Sequence, residues 1–454
     1  MFKKIEIWIL YLIILFSILF AIGFGVLVRQ ELVGSIKAGW VSKTALNLAE
    51  IPVNVKKILK GPEGDLTAED RFPTLDGFNA TPNSEESYLL LSRYDGDLKE
   101  GVVELVDLRT FKILHTWNPD INAFNDLVEQ TNEFKYLSRD QNNSRHLILH
   151  PHLIRDGGLL IKRDSPLRKI NACSDLVFQN TNDKFHHSIE TDSQGNIWIP
   201  STIYPQSLPI RKVGRDISAE GGYADDAIAK LSPNGEILFE KSVSQIFIDN
   251  GLEYLLFSVG DGVFETDPIH LNDIQPVNFN GEFWKQGDIF LSLRSQSMVL
   301  LYRPSTNEII WKGTGLFFHQ HDVDILDEHR ISIFNNNSKD FVDGDIVDGH
   351  NEVVIYNFMT DEYVSYLKES LANNDVRTIT QGRSEILTNG DLFIEETNYG
   401  RTLYFNADGS LRWTHVNRAE DGNVYRVGWS RILYTKEDIQ TVNNFLNNKG
   451  TCNE

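Results

Sequence analysis

Hydrophobic positions divide the chain into two materials. From Ile7 to Val28 the run IWILYLIILFSILFAIGFGVLV carries no charge, and that length crosses a hydrocarbon core of about 30 Å as a helix. Lys3 and Lys4 precede it, and Trp8 and Tyr11 sit near one end, where aromatic rings favour the interface. A cleaved signal peptide would carry a shorter apolar region, about 7–15 residues, before a small-residue site. Here the run continues past Ala21 to Gly25, so residues 1–29 read as an uncleaved single-pass anchor. Arg29, Lys37 and Lys43 nearly balance the charges of the short tail. Long domains translocate largely regardless of charge, so the expected arrangement keeps the tail inside and the main domain on the periplasmic, extracytoplasmic side.

Residues 30–84 read as a juxtamembrane helical stalk and linker. Leu32, Ile36, Trp40, Ala45, Leu46, Leu48 and Ile51 recur at roughly helical spacing, and Gly61-Pro62 ends the pattern. The same pattern suits a helix that packs on the main domain.

From residue 85 the period changes. Short apolar runs alternate with Gly, Asn and Asp turns, and the pattern repeats. One copy is YLLLSRYDGDLKEGVVELVDLRTFKILHTW from Tyr88. The second begins at GGLLIKRD from Gly157, and the third runs from GNIWIPS at Gly195 to DAIAKLSPNGEILFE. The fourth is GDIFLSLRSQSMVLLYRPSTNEIIW from Gly287. The fifth is HRISIFNNN from His329 with NEVVIYNFMTDEYVSYL, and the sixth is GDLFIEETNYGRTLYFNADGSLRW from Gly390. A four-stranded unit repeated at about 40–60 residues is the mark of a β-propeller. The expected fold is therefore all-β: a six-bladed β-propeller over 85–435, preceded by the transmembrane helix and stalk and followed by a tail, 436–454. A closed ring also removes the exposed edges that a stack of sandwiches would leave.

Composition narrows the chemistry. Forty-three Lys+Arg against 64 Asp+Glu give a formal net charge of −21, which argues against nucleic acid as a partner. Cys173 and Cys452 allow at most one disulfide and no cysteine-rich zinc site. No Gly-rich phosphate loop appears.

The histidines are not scattered. His187 stands eight residues before Gly195 in HSIETDSQGNIWI, and His321 stands eight before His329 in HDVDILDEHRISI. The sixth copy holds Gly382 at that slot with Arg383 beside it, and in the fourth His270 is displaced by an insertion in DPIHLND. The slot precedes what reads as the first strand of each blade, and first strands line a propeller's central channel. Several imidazoles should then converge on one axial pocket. Arg294 ends the first strand of the fourth copy, and Arg93 is near the equivalent place in the first. A guanidinium among imidazoles suits a tetrahedral oxyanion such as sulfate or phosphate.

FHHSIETDSQGNIWI, DPIHLND, IFLSLRSQS and FFHQHDVDIL follow one another between Phe185 and Asn337. In that order they resemble the bacterial arylsulfotransferases, six-bladed propeller enzymes of the cell envelope. ETNYGRTLYF from Glu396 and GWSRIL from Gly428 look like later segments of the family. The resemblance implies transfer of a sulfuryl group from an aryl sulfate donor to a phenolic acceptor through a sulfohistidine, with no cofactor and no nucleotide donor. It implies His321 as nucleophile and His187, His270 and Arg294 as its catalytic companions. Asn272 is implied as a sulfate ligand, with His186, Arg93 and Arg383 as further substrate-binding candidates. Members of the family carry an additional N-terminal β-domain and a disulfide in the propeller. Residues 30–85 are too short for the first, and Cys173 with Cys452 does not supply the second, so the chain looks like a shorter, membrane-anchored branch. Oligomeric state stays open.

Two other functions suit parts of the pattern. His319-x-His321 and His150-x-His152 could ligate copper, zinc or iron. An anchored acidic propeller could also be a non-catalytic envelope scaffold. Asn335–Asn337 and the acidic stretch from Asp340 to Asp348 read as a solvated loop. DGDIVDGH lacks the spacing and closing glutamate of a calcium loop.

Overall fold

The computed structural model describes residues 6–32, 38–59, 66–131, 134, 136–182, 184–208, 223–257, 266–341 and 344–448. Cys452, and with it the question of pairing with Cys173, lies outside them. The chain forms two units, residues 1–64 with 260–264, and the remainder.

In the first unit Ile7–Leu32 is one helix, about 39 Å long at 1.5 Å per residue. Residues Ile7–Glu31 form a candidate membrane span, anchor or signal sequence, by length and composition, and none of it is buried. A second helix, Trp40–Leu59, contains Pro52. The Ser42 hydroxyl joins the two helices by donating to the Glu31 carboxylate at 2.6 Å.

The second unit is a six-bladed β-propeller. Blade one orders its strands Arg431–Leu433, Tyr88–Asp95, Glu100–Asp107 and Lys112–Trp117 from the axis outward. A C-terminal strand thus supplies its innermost member and closes the ring. Blade two runs Leu149–Leu153, Leu159–Lys162, Leu167–Ile170, Leu176–Asn180. In blade three Lys184–Phe185 and Glu190–Thr191 both pair with Ile197–Thr202, followed by Asp226–Leu231 and Ile237–Ser242. Blade four is Leu271–Pro276, Ile289–Leu293, Met298–Arg303, Glu308–Thr314. Blade five is Val323–Ile325, Arg330–Asn335, Glu352–Asn357, Glu362–Tyr366. Blade six is Arg383–Ile386, Leu392–Glu396, Arg401–Phe405, Leu411–Val416.

The middle strands explain the apolar runs in the sequence. Ile289–Leu293 is buried at all five positions, whereas the outer strand Glu308–Thr314 alternates, as a strand facing solvent on one side must. Adjacent blades share cores: Leu90, Val103 and Leu105 of blade one pack with Leu159 and Ile161 of blade two, and Leu89 and Val106 pack with Phe393 and Trp413 of blade six.

Four expectations change. The strands read as first in each blade are second. The innermost strands are the short segments just after the histidines, such as Glu190–Thr191 and Val323–Ile325, too short to show a period. The linker is also part of the propeller. Gly77–Ala80 pairs with the outer strand Leu411–Val416 of blade six, which covers that edge, and Trp413 Nε1 donates to Asn83 Oδ1 at 3.0 Å. At the other terminus, helix Lys436–Asn448 places Val442 and Phe445 in the core between blades one and two. Finally, the Asn335–Asn337 run is not a solvated loop. Asn335 ends a strand, Asn336 is fully buried, and the acidic stretch folds into a hairpin, Ser338–Phe341 with Gly344–Val347.

Candidate active site

Each blade leads into its innermost strand through one left-handed, non-glycine residue: His150, His187, His270, His319, Gln381 and Trp429, with φ between 50° and 62°. Such conformations are uncommon for residues with a Cβ and concentrate at functional sites. Here they form a ring at one end of the axis, and four of the six are histidines.

The hairpin after each innermost strand fixes the register of that ring. Thr191 pairs with Ile197 and Ile325 with Ile331, so His187 and His321 hold equivalent ladder positions, as their spacing in the sequence predicts. Their backbones differ: the left-handed residue is His187 itself in blade three but His319 in blade five. Side-chain amides stitch the blades together at this level. Ser188 N–H donates to Asn272 O at 3.2 Å, and Asn272 Nδ2 donates to Gln320 O at 3.1 Å. Gln320 Nε2 in turn reaches Leu293 O and Met298 O at 3.1 and 2.9 Å.

On this frame three predicted histidines meet. The His187 ring lies 5.1 Å from His270 and 6.3 Å from His321, between centroids. His186 stands beside His187, with their Nδ1 atoms 2.8 Å apart and its Nε2 3.4 Å from the Asp226 carboxylate. His270 Nδ1 bonds the Asp267 carboxylate. Arg294 donates its backbone N–H to His270 O at 3.0 Å, and its Nη2 lies 3.0 Å from Asp345 Oδ2 of the acidic hairpin. The buried polar atoms here with no hydrogen-bond partner among the described residues include Arg294 Nε, a donor, and Asn272 Oδ1, an acceptor.

His321 is 1 % exposed and bonded on both ring nitrogens. Nδ1 lies 2.8 Å from Asn336 Oδ1 and 3.1 Å from His319 O. Nε2 accepts the Gln381 backbone N–H at 2.8 Å. Burial, reinforced by His270, holds its pKa well below the ordinary histidine value. Burial with His186 and His270 does the same for His187. Both imidazoles are neutral at physiological pH and keep a lone pair.

Arg93 and Arg383 are not drawn into this cluster. Arg93 is taken up by Glu104 at 2.7 Å and Asp95 at 2.8 Å. Arg383 lies between Asp322 at 3.9 Å and Glu385 at 3.4 Å. It lines a cavity of about 690 Å³ with His152, Glu190, Asp324 and Arg431, at the trailing end of the innermost strands. Among the described residues no group of three or more His, Cys, Asp and Glu is arranged to hold a metal ion.

Sequence reasoning missed Asn336, Gln381, Asp267 and Lys162. The gapless alignment of ISIFNN on IFLSLR puts Asn336 at the register of Arg294, and that signal was legible. Lys162 is fully buried, bonds His187 O and is lowered by burial to about 7. Its position is set by a tertiary contact that no local pattern displays.

The sequence profile of the family described as Arylsulfotransferase (ASST) matches residues 150–418. The chain belongs to the arylsulfotransferase family. The matched span runs from His150 to Arg418 and includes all four ring histidines, Arg294 and Asn336. Membership brings sulfuryl transfer as the general chemistry of the family. Among solved structures, a protein of unknown function from Bacteroides caccae is similar at 12% identity and TM-score 0.45, covering 76% of this chain and 98% of its own. The Neurospora crassa Pan2 WD40 domain is similar at 8% identity and TM-score 0.42, covering 81% and 90%. A catalytically inactive virginiamycin B lyase from Staphylococcus aureus is similar at 9% identity and TM-score 0.33, covering 59% and 69%. At these scores the three decide nothing about chemistry. No curated protein matches the chain.

Proposed function

We propose that this member of the family transfers a sulfuryl group from an aryl sulfate ester to a phenolic acceptor through a sulfohistidine on His321, without a nucleotide donor. The observation that carries the reading is the neutral, doubly bonded His321 within one cluster with His187, His270, Arg294 and Asn272. Sulfuryl transfer resembles phosphoryl transfer, in which a loose transition state spreads charge over equatorial oxygens and positioned donors do most of the work. His321 Nε2 attacks sulfur, the ester S–O bond breaks, and the departing aryl oxide takes a proton from His270. The acceptor phenol then passes its proton back to His270 as its oxygen attacks the sulfohistidine, and the N–S bond breaks.

His270 suits the proton work, because the Asp267 carboxylate on Nδ1 orients the ring and leaves Nε2 for proton transfer. Arg294 Nε, with no hydrogen-bond partner among the described residues, suits a sulfate oxygen. In the resting arrangement the Gln381 N–H occupies the nucleophile's lone pair. The donor must displace that bond, at about 1 kcal/mol for an ordinary hydrogen bond. The apolar helix Ile7–Leu32 suits an anchor that holds the propeller at the membrane on the extracytoplasmic side.

The test is incubation with a chromogenic aryl sulfate and a panel of phenols. Wild type should release the donor phenol only when an acceptor is present in turnover amounts, and His321→Asn should release none. Retained activity in that variant removes the nucleophile assignment.

A further inference from the structure

The three amide bonds of Asn336 have only one consistent assignment. One terminal atom faces two backbone carbonyls, Thr378 O at 3.1 Å and Gln381 O at 2.7 Å. Carbonyl oxygens only accept, so that atom is the NH₂ group. The other atom, which faces His321 Nδ1 at 2.8 Å, is therefore the amide oxygen. An oxygen acceptor there requires a proton on Nδ1, as does His319 O at 3.1 Å on the same nitrogen. Nε2 is then bare, and it accepts the Gln381 N–H at 2.8 Å. Gln381 thus bonds both ends of the pair, its carbonyl on Asn336 and its N–H on His321. Asn336 itself is fully buried, so the amide cannot turn over without losing its bonds to Thr378, Gln381 and His321.

We infer that Asn336 is the positioning residue that holds His321 in the Nδ1–H tautomer and so makes Nε2 the reactive nitrogen. The inference rests on the reading of His321 as nucleophile, but the tautomer can be measured without any sulfate ester. A neutral imidazole has one donor and one acceptor nitrogen, and the bond made by one decides the state of the other. A histidine free to exchange tautomers would offer Nε2 as a nucleophile only part of the time. It would also aim that atom less well at sulfur.

The test uses the full chain in detergent micelles, labelled with nitrogen-15 at histidine. The His321 signals are identified by their absence in His321→Asn. Wild type should show Nδ1 as the protonated nitrogen and Nε2 as the bare one. Asn336→Leu removes the acceptor and should give mixed tautomers. Its sulfuryl-transfer kcat should fall about ten- to a hundredfold, the size of effect seen when an outer partner of a functional histidine is lost, with KM for the donor nearly unchanged. Asn336→Asp keeps an oxygen facing Nδ1 and, with a proton on the oxygen that faces the Thr378 and Gln381 carbonyls, should restore the Nδ1–H signal. A wild-type His321 protonated on Nε2 overturns the inference, and so does an Asn336→Leu protein that keeps the wild-type tautomer. If Asn336→Leu does not fold, the wild-type and Asn336→Asp spectra decide alone. A wild-type chain with the expected tautomer but no transfer to any phenol instead removes the functional reading and leaves the role of Asn336 in place.

Discussion

The innermost strands have two ends, and they treat buried polarity differently. At the leading end, neutral groups stand beside the Arg294–Asp345 and His270–Asp267 contacts: His187 and His321 are held uncharged by burial, and the amides of Asn272, Gln320 and Asn336 link the blades. At the trailing end, charge answers charge. Arg431 pairs with Glu190 at 2.8 Å, and Arg383 sits between Asp322 and Glu385. A neutral imidazole nitrogen released from its hydrogen bond can attack or take a proton, whereas an ion pair is committed to its partner. Under the proposed function, chemistry belongs to the first end and structural closure to the second.

The comparison breaks most sharply at His321. Exchange for Asn should lower sulfuryl transfer by at least about 10³-fold, as loss of a covalent nucleophile does, while thermal unfolding of the propeller stays near wild type. The opposite pattern is expected at Arg383. Arg383→Met leaves buried carboxylates of Asp322 and Glu385 without their cation, at about 3–5 kcal/mol. Denaturant titration should show that loss, and the surviving folded fraction should keep its transfer activity. Next in size is Asp267→Asn, which removes the carboxylate that orients His270 and should lower kcat by about 10²-fold, read from initial rates at saturating donor.

The smallest effect is one of slope. Burial raises Glu385 to about 7, so the folded state binds its proton more tightly than the unfolded chain. That contribution is complete below the ordinary glutamate value of 4.5 and is lost as pH rises to about 7. His187 and His321 are lowered from 6.5, so theirs is complete above 6.5 and is lost as pH falls below it. Glu385→Gln should flatten the fall in stability between pH 4.5 and about 7. His187→Asn should flatten the fall on the acid side of 6.5. Unfolding curves across pH measure both, and equal slopes in the two variants would erase the distinction between the ends.

The propeller is legible because its second and third strands are mostly buried, as in Glu100–Asp107 and Arg401–Phe405, and its outer strands carry aromatics such as Trp117 and Trp413, leaving apolar runs that recur along the chain. The innermost strands were misplaced because a segment such as Glu190–Thr191 is too short for an alternating pattern. The equivalence of His187 and His321 follows from register, and His270 joins them from beside an insertion. Asn336 was read as loop because three consecutive asparagines usually mark a solvated turn. Only the tertiary partners Thr378 and Gln381 make it a buried bridge. Arg93 shows the converse: it lies near the equivalent place to Arg294 in the repeat, but Glu104, on the paired strand, takes its guanidinium. A repeat fixes where a side chain starts, and its neighbours fix what it bonds.

The most direct measurement is the mass of the peptide containing His321 after the full chain is mixed with an aryl sulfate, without acceptor, and quenched under alkaline conditions. The account predicts one added sulfuryl group on His321, removed when a phenol is supplied and absent from His321→Asn. Steady turnover with an unmodified His321, or an adduct on a different residue, would contradict it.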